Sequence, residues 1–208
     1  MTSASAIDGP PEPGAAPRRA RSHDKILETA FALIVERGYG RVTIEAIAAA
    51  AGVGKPTIYR WWPSKGALAL EAINHRIGTV LDFPSTGDIA TDLATQINGA
   101  VSVMNGPIGV VYRGIIAEAQ SDPAIATAVR TTIIEPRTRD CQRRLAEAVT
   151  VGQLRGDVPT REMVELLYGP IYYRFLLGTD VLDPVRTPQL IARVLDGLRP
   201  RPANGGAG

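Results

Sequence analysis

The chain has 208 residues, 45% of them hydrophobic and 21% charged, and a net charge of +2. That is enough apolar material for one larger domain or two small ones with a real core, and no run approaches the ~18 apolar residues of a membrane span. Its single cysteine, Cys141, excludes an internal disulfide and a cysteine zinc cluster and fits a reducing cytoplasm.

Residues 1–20 are rich in Pro, Ala, Gly and Ser and read as a disordered tail without a signal-peptide pattern. Arg18, Arg19 and Arg21 close this tail. They are either a solvated lead-in to the first helix or a basic arm for a minor groove or phosphates. A first helix is expected over Ser22–Arg37, with Ile26, Ala30, Phe31, Leu33 and Ile34 as its apolar stripe and Gly38 and Gly40 as its stop.

Thr43–Lys65, TIEAIAAAAGVGKPTIYRWWPSK, carries the most information. Taking Gly52 as a turn, Ala48 lies four residues before it, Val53 one after and Ile58 six after. Small, glycine, apolar, apolar at these offsets is the packing requirement of a helix-turn-helix. Thr43 is a good N-cap, with Val42 and Ile47 spaced as a hydrophobic staple. Lys55-Pro56 opens the second helix, where the N–H that proline lacks would be unpaired anyway.

With Ile58 and Trp62 facing inward, Pro56, Thr57, Tyr59 and Arg60 fall on the open side and Lys55 on the exposed start. Arginine pairs bidentately with guanine, and Thr or Pro meets a thymine methyl. A tyrosine hydroxyl donates to a phosphate oxygen. Ser64 is placed as the N-cap of a further helix, with Lys65 in its first turn as a phosphate clamp. Taken singly, each of these residues is ordinary bundle-corner chemistry; the combination at these spacings points to DNA.

Charge agrees. Residues 18–76 hold ten Lys/Arg against five acids, whereas residues 77–208 hold 13 Arg against 14 acids. The basic excess therefore sits with the segment that would meet DNA.

Beyond Ser64 the pattern stays helical, with no alternating strand pattern of useful length. Helices are expected over Ser64–Leu81, Ile89–Met104 and Pro107–Gln120. Asp122-Pro123 starts another, kinked at Pro136 and reaching Leu154. Thr160 caps one that runs to Leu177 with an interruption at Gly169-Pro170, either a hinge or a static kink, and Thr187-Pro188 starts the last, ending at Arg199. The expected architecture is all-α, with about nine helices. A disordered tail spans 1–20, a DNA-binding domain 21–66, a helical regulatory and dimerisation domain 67–199, and a second disordered tail 200–208.

The helix ILETAFALIVERGY, the run TIEAIAAAAGVGKPTIYRWW and the following PSKGAL resemble the N-terminal domain of the TetR/AcrR family of transcriptional regulators. YRGIIAEAQ, DPAIATAVR, PRTRD and LLYGPIYYRFLLG resemble one branch of it, which extends the resemblance over residues 22–199. The resemblance implies a three-helix DNA-binding domain, a helical regulatory domain, a homodimer and repression relieved by a small ligand. It implies DNA contacts at Thr43, Lys55, Pro56, Thr57, Tyr59, Trp61 and Lys65. Trp61 stands where many relatives carry histidine or tyrosine, which leaves it either a phosphate contact or a packing role.

The last two expected helices are apolar on more than one face, through Met163, Leu166, Leu167, Ile171 and Leu177 and through Leu190, Ile191, Val194, Leu195 and Leu198. A surface helix needs only one such stripe, so they are either covered twice, by their own domain and by a second subunit, or fully buried within one chain. Met163, Leu166, Leu167, Ile171, Ile191, Val194, Leu195 and Leu198 are the candidate interface. The family resemblance implies a four-helix interface between two copies and a ligand cavity within 89–154. Met104, Val111, Tyr112, Ile115, Ile134, Tyr172 and Phe175 are its candidate walls, each also open to an ordinary core role. Arg113, Glu118 and Tyr172 are the polar residues among them, explained equally by a ligand or by helix-to-helix bonds.

The function expected is a sequence-specific, DNA-binding transcriptional regulator in the cytoplasm, associated with the nucleoid. It would be a repressor released from double-stranded operator DNA by a small hydrophobic or amphipathic ligand, with no cofactor, metal or membrane partner. A helical protein–protein adaptor is the alternative, against which the basic asymmetry argues. For an enzyme there is neither a nucleophile elbow nor a P-loop, and the two histidines, His23 and His75, sit near no cluster of acids.

Overall fold

A computed structural model describes residues 15–200. The described residues are helical without a strand, as the all-α expectation required. Helix α1 spans Ala15–Arg37, so it starts seven residues before the expected Ser22 and takes in the end of the segment expected to be a disordered tail. The rest of that tail, residues 1–14, the tail beyond Pro200 and the side chains of Arg18 and Arg19 lie outside what is described.

Gly38 at φ 84° ends α1, and a 3-10 turn, Tyr39–Arg41, leads into α2 (Ile44–Ala51). Thr43 caps α2, its hydroxyl accepting from Ala46 N at 3.2 Å. Gly52 takes the left-handed conformation at φ 70°, and Val53 N donates to Ala48 O at 3.0 Å, so the chain turns sharply where only glycine does so without strain. Helix α3 is short, Lys55–Tyr59, with Pro56 in its first turn. Ser64 caps α4 (Lys65–Ile77), accepting from Ala67 N at 3.1 Å. The expected continuation of α4 to Leu81 stops at Gly78, whose φ of 49° leaves the helical region.

The second part follows as α5 (Ile89–Asn105) and α6 (Pro107–Ala119), bent by 79° at their junction. Asp88 caps α5, and Gly106-Pro107 forces the bend. Asp122 caps α7 (Pro123–Val129) through Ala124 N and Ile125 N. A π-helical turn, Arg130–Ile134, then joins α7 to α8 (Glu135–Thr150). The kink expected at Pro136 takes this form: proline cannot donate to the turn before it and crowds the carbonyl four residues back, and the wider turn relieves both.

Helix α9 (Thr160–Leu177) runs unbroken through Pro170, so Gly169-Pro170 does not interrupt it. Thr160 does not cap α9; Pro159 holds that position, and the Thr160 hydroxyl instead accepts from Gln142 Nε2 at 3.4 Å. Helix α10 covers Thr187–Leu198. No single helix among the described residues is long and apolar enough to cross a membrane.

One hydrophobic cluster runs through both halves. Ile26, Leu27, Ala30 and Ile34 of α1 meet Ile47, Ile58 and Trp62 of the turn region and Leu68, Ala72 and Ile73 of α4, and the same cluster continues to Val111 and Ile115 of α6. Helix α4 packs on α1 on one side and on α6 and α7 on the other. The two halves therefore share a core through α4.

Candidate nucleic-acid interface and cavity

Helix α3 divides its residues by face as its sequence predicts. Ile58 is fully buried, and Trp62, just beyond the helix, is buried with its indole N–H donating to Glu71 at 2.7 Å. Lys55, Pro56, Arg60, Tyr59 (50% exposed) and Trp61 (41% exposed) are open, as is Thr43, and Thr57 is half-buried. Lys65 is held against the 3-10 turn. Its Nζ donates to Tyr39 O at 3.0 Å and sits 4.1 Å from the centre of the Tyr39 ring.

Trp61 belongs to an aromatic cluster. The His23 ring lies 5.1 Å from Trp61 and 4.8 Å from Trp62, and His23 Nε2 is 2.9 Å from Glu71. The Arg60 guanidinium lies 5.7 Å from the Trp61 ring. Lys55 pairs with Glu45 at 3.0 Å across the turn. An exposed pair of this kind contributes little, so a phosphate can draw Lys55 away from it.

Sequence reasoning missed Tyr39. Its hydroxyl donates to Glu118 on α6, and burial, then Glu118, pushes its pKa up, which keeps it a donor. Gly114 makes this approach possible. A Cβ there would lie 2.3 Å from Tyr39 Cβ, so the α6 backbone lies directly against the Tyr39 side chain. Lys65, Tyr39 and Glu118 thus form a chain of contacts from the start of α4 to α6. The polar markers read from the sequence all bond between elements: Glu118 with Tyr39, Tyr172 with Tyr112, and Arg113 Nε to Phe175 O at 3.0 Å.

A cavity of about 320 Å³ lies between α4, α5, α6, α8 and α9. Ile73 and Ile77 of α4 form one wall, so it reaches the helix that carries Lys65. Met104, Tyr112, Ile134 and Tyr172 line it. Val111, Ile115 and Phe175 are fully or almost fully buried but do not line it. At 100° per residue Val111 and Ile115 lie about 100° and 60° round α6 from Tyr112, on the far side of Ile108 from it. Phe175 stacks behind Tyr112, ring centres 6.0 Å apart.

The polar side of the cavity holds Gln96, Arg137, Tyr168 and the Tyr112–Tyr172 hydroxyl pair, 2.9 Å apart. Tyr168 donates to Gln96 Oε1, and Gln96 Nε2 to Leu81 O at 3.3 Å. Burial raises the pKa values of Tyr112, Tyr168 and Tyr172, so all three phenols are neutral.

Within the chain the interface candidates divide by face. Met163, Leu167 and Ile171 are buried within their own chain, because this face of α9 packs on α8. Ile191, Leu195 and Leu198 are buried because α10 packs on α5 and α9. Leu166 is half exposed and Val194 partly buried. Helix α9 does carry a second apolar face, through Leu166, Tyr173 and Leu177. The outer face of α10 does not; it presents Gln189, Ala192, Arg193 and Asp196.

Residues 26–72 match the family described as bacterial regulatory proteins, tetR family, and residues 83–194 match the tetracyclin repressor-like C-terminal domain. The chain is 30% identical over 183 residues to the uncharacterized HTH-type transcriptional regulator YdeS of Bacillus subtilis, covering 88% of this chain and 92% of that one. It is 25% identical over 174 residues to the DNA-binding transcriptional repressor TetR of Mycobacteroides abscessus, covering 83% of this chain and 89% of the other. The crystal structure of the TetR family transcription regulator SCO0332 superposes with a TM-score of 0.71 at 35% identity, over 86% of this chain and all of that one. With the helix-turn-helix geometry and both domains matched, the chain belongs to the TetR family and is a DNA-binding transcriptional regulator.

Proposed function

We propose that this regulator is a cytoplasmic repressor that binds operator DNA as a homodimer and is released when a small molecule fills the cavity. It carries out no catalytic step. The observation that carries this reading is that α4 serves both sites. Its first turn holds Lys65 beside α3, and Ile73 and Ile77 line the cavity. At 1.5 Å per residue, Ile73 lies only about 12 Å along the helix from Lys65. A ligand lowers DNA affinity only if it prefers a dimer with misplaced recognition helices, and a shift of α4 would displace Lys65, Tyr39 and α3 together.

In this reading Arg60 and Thr57 meet base edges; Thr43, Lys55, Tyr59 and Lys65 hold phosphates; and Pro56 offers an apolar surface to a thymine methyl. Trp61 packs against His23 and borders the backbone contacts. The dimer forms through the open face of α9, Leu166, Tyr173 and Leu177, extended by Val181 and Val185. Dimerisation lets two short recognition helices read half-sites about 34 Å or more apart.

Selection of bound sequences from random duplex DNA, followed by footprinting, tests the DNA reading. The expected product is one enriched sequence with approximate twofold symmetry, whose affinity falls steeply with salt. Recovery of no preferred sequence, or binding indifferent to salt, defeats the reading.

A further inference from the structure

The cavity wall carries one guanidinium with no acidic partner among the described residues. Arg137 Nη1 donates to Ile133 O at 2.9 Å within its own helical run, while Nε is buried with no hydrogen-bond partner. The only acid on the wall, Glu165, is exposed and already paired with Arg161 at 3.2 Å. A buried donor on a cation is costly to leave unmet. Arg137 also lies close enough to the Tyr112–Tyr172 pair for its charge to oppose the upward shift that burial gives those phenols. Two hydroxyls bonded to each other use one proton between them, so the second proton is left to donate. The remaining wall is apolar, through Ile73, Ile77, Met104, Ile108 and Val164.

We propose that the cavity takes a small organic carboxylate, its head bound by Arg137 and a hydroxyl of the Tyr112–Tyr172 pair, its apolar body against α4, α5 and α6. This rests on the cavity being the effector site. The planar carboxylate matches the guanidinium fork. A dianionic head would leave a second buried charge uncompensated, and an amine would face Arg137 with like charge. A volume of about 320 Å³ holds roughly ten water-sized groups, which limits the body to a short chain or one ring.

Calorimetric titration of the full chain with octanoate, octanol, octylamine and octyl phosphate tests the proposal, alongside Arg137→Gln and Arg137→Lys and with folding checked by circular dichroism. Octanoate is expected to bind at least about tenfold tighter than the other three, and Arg137→Gln to remove that advantage without changing octanol binding. Arg137→Lys, which keeps the charge and loses the fork, is expected to fall between. Equal binding of octanoate and octanol, tighter binding of octyl phosphate, or a carboxylate preference that survives Arg137→Gln overturns it; the wild-type comparison alone decides the first two. Met104→Trp, which fills the cavity, separates this failure from that of the parent reading. If octanoate and octanol bind alike and Met104→Trp blocks both, the cavity stands and the carboxylate preference falls. If no probe binds, or Met104→Trp leaves binding intact, both fall.

Discussion

Replacing Gly114 by alanine tests whether α6 and the turn before the helix-turn-helix are in direct contact. The new Cβ would lie 2.3 Å from Tyr39 Cβ and 2.5 Å from Tyr39 Cγ. Carbon atoms rest at about 3.5–4.0 Å, so the two elements must part by more than about 1 Å. Tyr39 Cβ has no rotamer that takes it away, because the backbone fixes its position. Overpacking of this kind costs up to about 3 kcal/mol, and the better helix propensity of alanine returns roughly 0.5–1 kcal/mol. The expected net loss is about 2 kcal/mol, or roughly 4–8 °C in Tm for a chain of this size. Thermal unfolding followed by circular dichroism at fixed protein concentration reads it directly. Gly66→Ala should cost less, since its Cβ would meet the flexible end of Ile125 at 2.5 Å. Gly40→Ala, with no atom within 4 Å, should change stability by less than about 0.5 kcal/mol. The reasoning is refuted if Gly114→Ala melts with the wild type, or if Gly40→Ala is the more damaging of the two.

Lys65→Ala should weaken binding to all duplex sequences and reduce the salt slope by about 1, whereas Arg60→Ala should relax preference at defined operator positions; electrophoretic mobility assays over a salt series distinguish the two, and identical behaviour of both variants contradicts the assignment. Asp92 is fully buried, and although burial raises its pKa, bonds from Thr86 and a 2.6 Å contact with Arg144 hold it below the usual carboxylate range. A lowered folded value stabilises above the unfolded pKa of about 3.9 and ceases to do so as pH falls through the folded value. Asp92→Asn should therefore cost about 3 kcal/mol at neutral pH by leaving Arg144 without its buried partner. Urea melts should show that gap narrowing only below about pH 4, and a gap already closed at pH 6 would count against the account. Tyr173→Glu places a charge on the open face of α9 and should yield monomers in sedimentation velocity with operator affinity lost; an unchanged dimer moves the interface elsewhere.

The local chemistry of the DNA-reading segment was legible in the sequence because it is set by neighbours in the chain. Thr43, Gly52, Pro56 and Ser64 act through caps and turn angles a few residues away, and Ile58 and Trp62 through the helical period. Helix ends were less legible where a single backbone angle decides them, as at Gly78, or where a helix simply continues, as α1 does back to Ala15. The polar contacts that couple the halves were not legible, since Tyr39 and Glu118 lie 79 residues apart and their bond depends on how α6 crosses the first domain. The same holds for the sides of α9 and α10. Apolar count alone does not tell Leu167, turned into its own chain, from Leu166, turned out of it.

Helix α8 and its start show the division most plainly. Arg137, Arg139, Arg143 and Arg144 are the same residue type within eight positions of the sequence. In the fold, Arg139 and Arg143 are exposed and pair with Glu135 and Asp140, within their own helix, while Arg144 is buried against Asp92, 52 residues away. Arg137 enters the cavity with an unmet donor. The sequence by itself determined an all-helical regulator and the residues on the open face of its helix-turn-helix, because propensity, capping and periodicity are local. Only the tertiary structure decided which charge enters the cavity, because burial and partner are properties of the helices that surround a residue and not of the residue.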